Sequence, residues 1–289
     1  INNGWKPVSS NSLKTNYFQM LQILKIEWLK IKNYPAFWWT MGITALSYIA
    51  ASYAMVGFYH QLSNNPQMGK AAQMLLGNPF AFNEVWHTIA YISSLFIVIP
   101  SLVVIMLITN EYTFKTHRQN VIDGWSRKQF LTGKLLDIAV VSLSISVIYV
   151  GACLIIGFTN TGAKDIAGGG KTYFIGYFFL QTFSQLSIAF VIGFLVRKSF
   201  IALGIFIFSI VILEPMLTWL FSKYDMVIGH FLPFEISDRM IPPPTFMAKM
   251  NPEAYNLAMN STGQQVLYTL LFSTLLWFFC FRINAKRDL

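Results

Sequence analysis

The 289-residue chain is 55% hydrophobic and 16% aromatic, carries 11% charged residues and has a mean hydropathy of +0.51. Soluble domains carry roughly 25% charged residues, so this composition excludes an ordinary soluble fold and predicts an all-α membrane protein. The net charge of +9 is spread along loops rather than gathered on a basic domain, which argues against a nucleic-acid partner.

Residues 1–16 form a polar N-terminal segment without the apolar run of a signal peptide, so insertion is expected to use the first span. In residues 17–34, Tyr17, Met20, Leu21, Leu24, Trp28 and Ile31 recur at helical spacing, with Gln22, Lys25 and Lys30 towards the other side. Glu27 precedes Lys30 by three residues, which suits a weak local ion pair. This pattern predicts an interfacial amphipathic helix lying on membrane lipid, its lysines near anionic headgroups. A plain lysine-rich anchor that sets topology is the other reading. Pro35 ends the helix and turns the chain.

Residues 36–283 hold six segments apolar enough to cross about 30 Å of hydrocarbon: Ala36 to Tyr59, Trp86 to Thr109, Leu135 to Phe158, Tyr173 to Val196, Phe200 to Phe221 and Gln264 to Phe281. Their only formal charges are Asp137 and Glu214. Fifteen of the 21 Lys and Arg residues fall on the side that carries the N-terminal segment, the loop after the second span, Arg197, Lys198 and the 284–289 tail; six fall on the other side. Basic residues near span ends are retained in the cytoplasm, so both termini are expected there.

The loop between the second and third spans, 110–134, is a polar hairpin on two apolar stalks. Asp123 and Gly124 supply a turn, because glycine tolerates positive φ. Ser126 and Gln129 stand in capping-box spacing, so a new helix is expected from Arg127. Between the stalks a short helix over Lys115 to Ile122 is predicted, a geometry suited to a lever. Any cytoplasmic loop needs polar and basic residues, and that plainer account stays open. It leaves unexplained the aromatics and amides among the charges: Tyr112, Phe114, Gln119, Asn120, Trp125 and Phe130. Docking surfaces favour such residues.

Pro100 predicts a kink in the second span. Glu214 is the one acid in the outer half of a span, and Pro215 beside it is expected to distort the helix and free backbone carbonyls. Glu214 reads either as part of a translocation path or as an interfacial acid. The 222–263 loop, with Pro242, Pro243 and Pro244, reads as an exit gate, a dock for a partner or a lid over the bundle. Cys153 and Cys280 lie inside spans, so no disulfide is expected, and no Cys or His pair has metal-ligand spacing. Asp165 to Thr172 (DIAGGGKT) fails as a nucleotide loop, since Asp165 stands where glycine is required and no strand precedes it. His60, His87, His117 and His230 belong to no catalytic motif, so no catalytic residue is assigned. An intramembrane hydrolase or acyltransferase assembled across helices is the enzymatic alternative.

The sequence LKIEWLKIKNYPAFW before the first span, and EYTF followed by THRQNVIDGWSRKQFLTGKLL after the second, resemble the permease subunits of bacterial ABC-2 type ABC transporters over essentially the whole chain. The resemblance implies six transmembrane helices, an N-terminal interfacial elbow helix, a cytoplasmic coupling helix between helices 2 and 3, and short re-entrant or surface helices between helices 5 and 6. The coupling contacts would come from Glu111, Thr116, His117, Arg118, Gln119, Asn120, Asp123, Gly124, Trp125, Ser126 and Arg127, and the translocation path from Glu214, Pro215 and Pro100. It further implies an ATP-binding subunit that holds ATP and Mg while this chain holds no cofactor, a second permease copy or a homologous permease, and residence in the bacterial cytoplasmic (inner) membrane. A periplasmic or lipoprotein partner would fit the outer loop. The expected cargo is lipidic, amphipathic or peptide-like and is exported. A membrane anchor for a secretion or motility complex is the alternative of another class.

Overall fold

A computed structural model describes residues 22–64, 77–122, 124–161, 170–224, 226–244 and 252–286. Every regular element among them is helical. In chain order these are α1 (22–32), α2 (Pro35–Ser63), α3 (Val85–Ser94), α4 (Val98–Thr113), α5 (Thr116–Ile122), α6 (Arg127–Asn160), α7 (Phe174–Val196), α8 (Ser199–Lys223), α9 (Glu235–Asp238) and α10 (Pro252–Lys286). A 3-10 turn, Val227–Phe231, lies between α8 and α9. Among the described residues the chain is all-helical, with five helices long and apolar enough to cross a membrane, α2, α6, α7, α8 and α10, and six if α3 and α4 count as one bent span.

Local sequence explains where these helices start, bend and stop. Pro35 sits in the first turn of α2, where its missing N–H costs nothing. The second span, expected to kink at Pro100, is α3 and α4, bent by 50° at Leu95–Ile97. Pro100 cannot donate to the Phe96 carbonyl, which accepts from the Ile99 amide at 3.0 Å instead, so the bend falls just ahead of the proline. Within α8 the backbone widens to one π turn, Ser209–Leu213, directly before Glu214 and Pro215, and the Glu214 amide donates to the Ser209 carbonyl five residues back. Pro215 offers no N–H to Val211, which accounts for the wider turn. The last helix starts at Pro252 rather than Gln264, so 252–263 is helical and not loop.

Two apolar clusters fill the bundle. The larger centres on Ile89, Tyr149, Phe178, Phe190 and Trp277, the smaller on Ile105, Ala189, Ala202, Phe206 and Phe234. α7 runs through both and is the most buried span, whereas α8 turns most of its surface outward, with Phe208, Val211 and Trp219 exposed. A helix apolar on all sides with one side bare requires lipid or another subunit against it.

The two ends of the bundle differ in charge. One end, the basic end, gathers α1, α5, the start of α6, the α7–α8 junction at Arg197 and the end of α10. The opposite, far end gathers the loops at 77–84, 170–173 and 227–244, joined by an ion pair of Lys171 with Glu84 at 2.8 Å and a bond of His87 Nε2 with the Pro242 carbonyl at 2.8 Å. His87 is wholly buried and stacks on Phe174.

Candidate functional site

At the basic end, five charged side chains from three helices converge. Lys134 Nζ on α6 lies 2.5 Å from Glu27 of α1, 2.6 Å from Glu111 of α4 and 3.1 Å from Asp137 one turn on. Lys30 Nζ adds contacts of 2.7 Å to Glu27 and 3.4 Å to Glu111. Lys134, Glu27 and Glu111 are buried. Two ammonium groups thus face three carboxylates, and among the described residues Glu111 Oε2 has no hydrogen-bond partner. Burial alone would raise the Glu27 carboxyl, but Lys134, a hydrogen bond with Asp137 and Lys30 together hold it at about 2. In a buried site such charges are tolerated only when paired, so the cluster fixes α1 against α4 and α6.

The sequence leaves room for that contact at Gly133, where a Cβ would come within 3.2 Å of Ile23 and 3.3 Å of Glu27. Gly133→Leu is therefore expected to lever α1 away and cost about 1–3 kcal/mol in thermal unfolding of the detergent-solubilised chain. The buried side of α1 is Ile23, Glu27 and Ile31; of the expected stripe, Ile31 is buried, Leu24 half-buried and Trp28 exposed. α1 is apolar around most of its circumference, and the charge partner on α6 selects which side turns inward.

The hairpin is α5 between two stalks. Thr116 Oγ1 and His117 Nδ1 both approach the Glu111 carbonyl, at 3.4 and 3.1 Å, and so cap the end of α4. The Tyr112 ring lies between the His117 ring, 4.7 Å away, and the Arg197 guanidinium, 4.9 Å away. Arg197 closes α7 in the left-handed region with φ 60°, a conformation that costs a non-glycine residue about 1 kcal/mol. The Trp125 amide donates to the Asn120 carbonyl, Gly124 turns with φ 94°, and Lys30 stands 5.7 Å over the Trp125 ring. Ser126 and Gln129 form the full capping box at the start of α6. Arg127 donates to the Ala285 carbonyl, and Asn284 donates to the Arg127 carbonyl at 2.8 Å, tying α10 to the hairpin. Gln119 is exposed, as are Phe114 at 72% and Ile122 at 83%. Asp123 and the Arg118 side chain lie outside the described residues, as do residues 1–21, 162–169 and 287–289.

At the far end, Glu214 is buried and its Oε1 accepts from the Phe234 amide at 2.7 Å and the Glu235 amide at 2.9 Å. It holds the start of α9 against α8. Asp238, at the end of α9, accepts from Gln181 Nε2 at 2.7 Å and Gln185 Nε2 at 2.6 Å, both on α7. Pro215 lines the cleft beside Glu214, whereas Pro100 is buried in α4. The three residues expected on one path therefore do not form one contact set.

Residues 48–289 match the model of a family described as "Protein of unknown function (DUF2705)". The chain belongs to this family. The search of curated proteins finds no match.

In this DUF2705 chain, Glu111, Lys134, Asp137, Glu214 and Asp238 fall within the matched stretch, and Glu27 and Lys30 precede it. The sequence pointed to Glu111 and Glu214 as site residues and paired Glu27 with Lys30, a contact the structure shows at 2.7 Å, but it gave no site role to Lys134, Asp137, Arg197, Asn284 or Asp238. A lysine at a helix start looks like an ordinary solvated cation. The available signal was a glutamate on the apolar side of an amphipathic helix, which a free surface helix would not carry there.

Proposed function

We propose that this chain is the permease subunit of an ATP-driven ABC transporter of the ABC-2 type, in which α1 is the elbow helix and α5 the coupling helix. The observation that carries this reading is the buried Lys134–Glu27–Glu111 cluster. It joins α1 and both stalks of the hairpin into one stiff body, so a push on α5 moves membrane helices instead of bending a loop. The exposed Phe114 and Ile122 give a separate ATP-binding subunit an apolar hold on either side of α5. That subunit supplies ATP and Mg, and a second permease copy or a homologous permease covers the bare side of α8. In this reading the basic end and both termini are cytoplasmic, following the distribution of Lys and Arg, and closure of the ATP-binding subunits switches the spans between two states. Export of an amphipathic cargo fits apolar spans that carry few charges.

Purification of the full chain from its native membrane is expected to bring down an ATP-hydrolysing partner. Phe114→Asp combined with Ile122→Asp is expected to abolish that co-purification and leave the melting temperature within about 2 °C, since both side chains lie on the surface. Retention of the partner by this variant overturns the proposed dock.

A further inference from the structure

Beside Glu214 a cleft of 450 Å³ opens between α8 and α9, lined by Ile210, Pro215, Thr218, Trp219 and Asp238. A second cleft of 350 Å³, lined by Tyr91, Ser94, Gln185 and Asp238, shares Ile210 and Asp238 with the first. The two clefts adjoin at these residues and together make a groove that reaches from the π turn of α8 to the break between α3 and α4. Both walls are places where the regular helical backbone pattern is interrupted, an arrangement that leaves carbonyl groups available to a bound ligand.

Glu214 and Asp238, which line this groove, have no cation against them among the described residues. Both glutamine amides fall on Asp238 Oδ1, and no donor among the described residues reaches Oδ2. Thr218 lines the first cleft one helical turn from Glu214, and its Oγ1 is buried without a partner among the described residues. Arg239 pairs with Glu235 at 2.8 Å, and Lys223 lies over the Trp219 ring at 5.5 Å; neither forms an ion pair with Glu214 or Asp238 among the described residues. An unpartnered buried acceptor next to an unpaired carboxylate calls for a group with both positive charge and N–H donors. On its other side Glu214 borders an apolar pocket of 190 Å³ formed by Ile188, Ile192, Leu213, Leu217 and Leu232.

We propose that the groove binds an amphipathic cation: an ammonium group with N–H donors, seated between Glu214, Asp238 and the Thr218 hydroxyl, joined to an apolar body that fills the neighbouring pocket. Trp219 supplies an aromatic wall. Calling this ligand the cargo rests on the transport reading above; its binding does not.

The test uses the purified full chain in a neutral maltoside detergent, with tryptophan fluorescence read against added dodecylammonium, dodecyltrimethylammonium or dodecyl sulfate. Saturable binding is expected for dodecylammonium, weaker binding for the trimethyl compound, which keeps the charge and lacks donors, and none for the sulfate. Glu214→Gln and Asp238→Asn keep the oxygen acceptors that hold α9 and remove the charge, and each is expected to weaken dodecylammonium binding by about tenfold with the melting temperature unchanged. Equal binding of ammonium and sulfate, or undiminished binding in both folded variants, overturns the proposal. Ammonium binding without any ATP-hydrolysing partner in the native membrane leaves the groove standing and removes the transport reading. A partner without ammonium binding does the reverse.

Discussion

Lys134→Met is expected to destabilise the chain by about 3–5 kcal/mol, because it removes the buried cation that touches Glu27, Glu111 and Asp137 together and leaves the buried Glu27 and Glu111 with only the partly exposed Lys30 as counter-charge. Lys30→Met is expected to cost less than about 1 kcal/mol, since the Lys30 side chain is 33% exposed and solvent screens its contacts. Thermal unfolding of the detergent-solubilised variants separates the two. The pH dependence gives a second reading. Glu27 is held at about 2, below its ordinary 4.5, so its contribution to stability is complete above pH 4.5 and is lost as pH falls towards 2. The wild-type chain is thus expected to lose melting temperature on acidification through that window. In Lys134→Met the chief opposing charge is gone, burial dominates, and Glu27 titrates above its ordinary value; this variant is expected to gain melting temperature as pH is lowered from 8 to 5. A wild-type-like melting temperature in Lys134→Met, or parallel pH profiles for the two proteins, would show that the cluster does not clamp α1.

Much of the architecture can be read from local sequence, because its causes are local. Apolar length marks the spans, the Ser126–Gln129 spacing marks the start of α6, Gly124 marks the turn, and Pro215 marks the distortion in α8. The bend at Leu95–Ile97 was legible as a kink from Pro100, though not as a break reaching 50°. What sequence does not show is partnership across the chain. Glu27 looks like half of a surface pair with Lys30, and only its approach to Lys134, 107 positions away, makes it a buried residue. Helical periodicity offers several candidate sides when a helix such as α1 is apolar nearly all round, and long-range charge pairing chooses among them. Asp238 escaped for the same reason: it lies in a loop rich in polar residues, and its meaning comes from two glutamines on α7 that hydropathy alone treats as tolerated polar positions.

Glu214→Leu is expected to be the most damaging change at the far end, in contrast to Glu214→Gln. The carboxylate accepts from two backbone amides, Phe234 and Glu235, and a leucine leaves both N–H groups without that partner. At about 1–3 kcal/mol for each of the two stranded donors, the loss is about 2–6 kcal/mol. A glutamine retains the accepting oxygen, so its cost is expected to stay below about 1 kcal/mol even though it removes the charge. Amide hydrogen exchange tests the assignment at residue level: in Glu214→Leu, protection at Phe234 and Glu235 is expected to fall, and with it protection of α9, while the α1–α4–α6 contact at the basic end stays protected. Because α9 also carries Asp238, detachment of α9 would scatter the polar groups of the groove. Glu214→Leu is therefore expected to lose ammonium binding through geometry, and Glu214→Gln through charge alone. If the two variants melt alike and exchange alike, Glu214 does not anchor α9, and the π turn beside it follows from Pro215 alone.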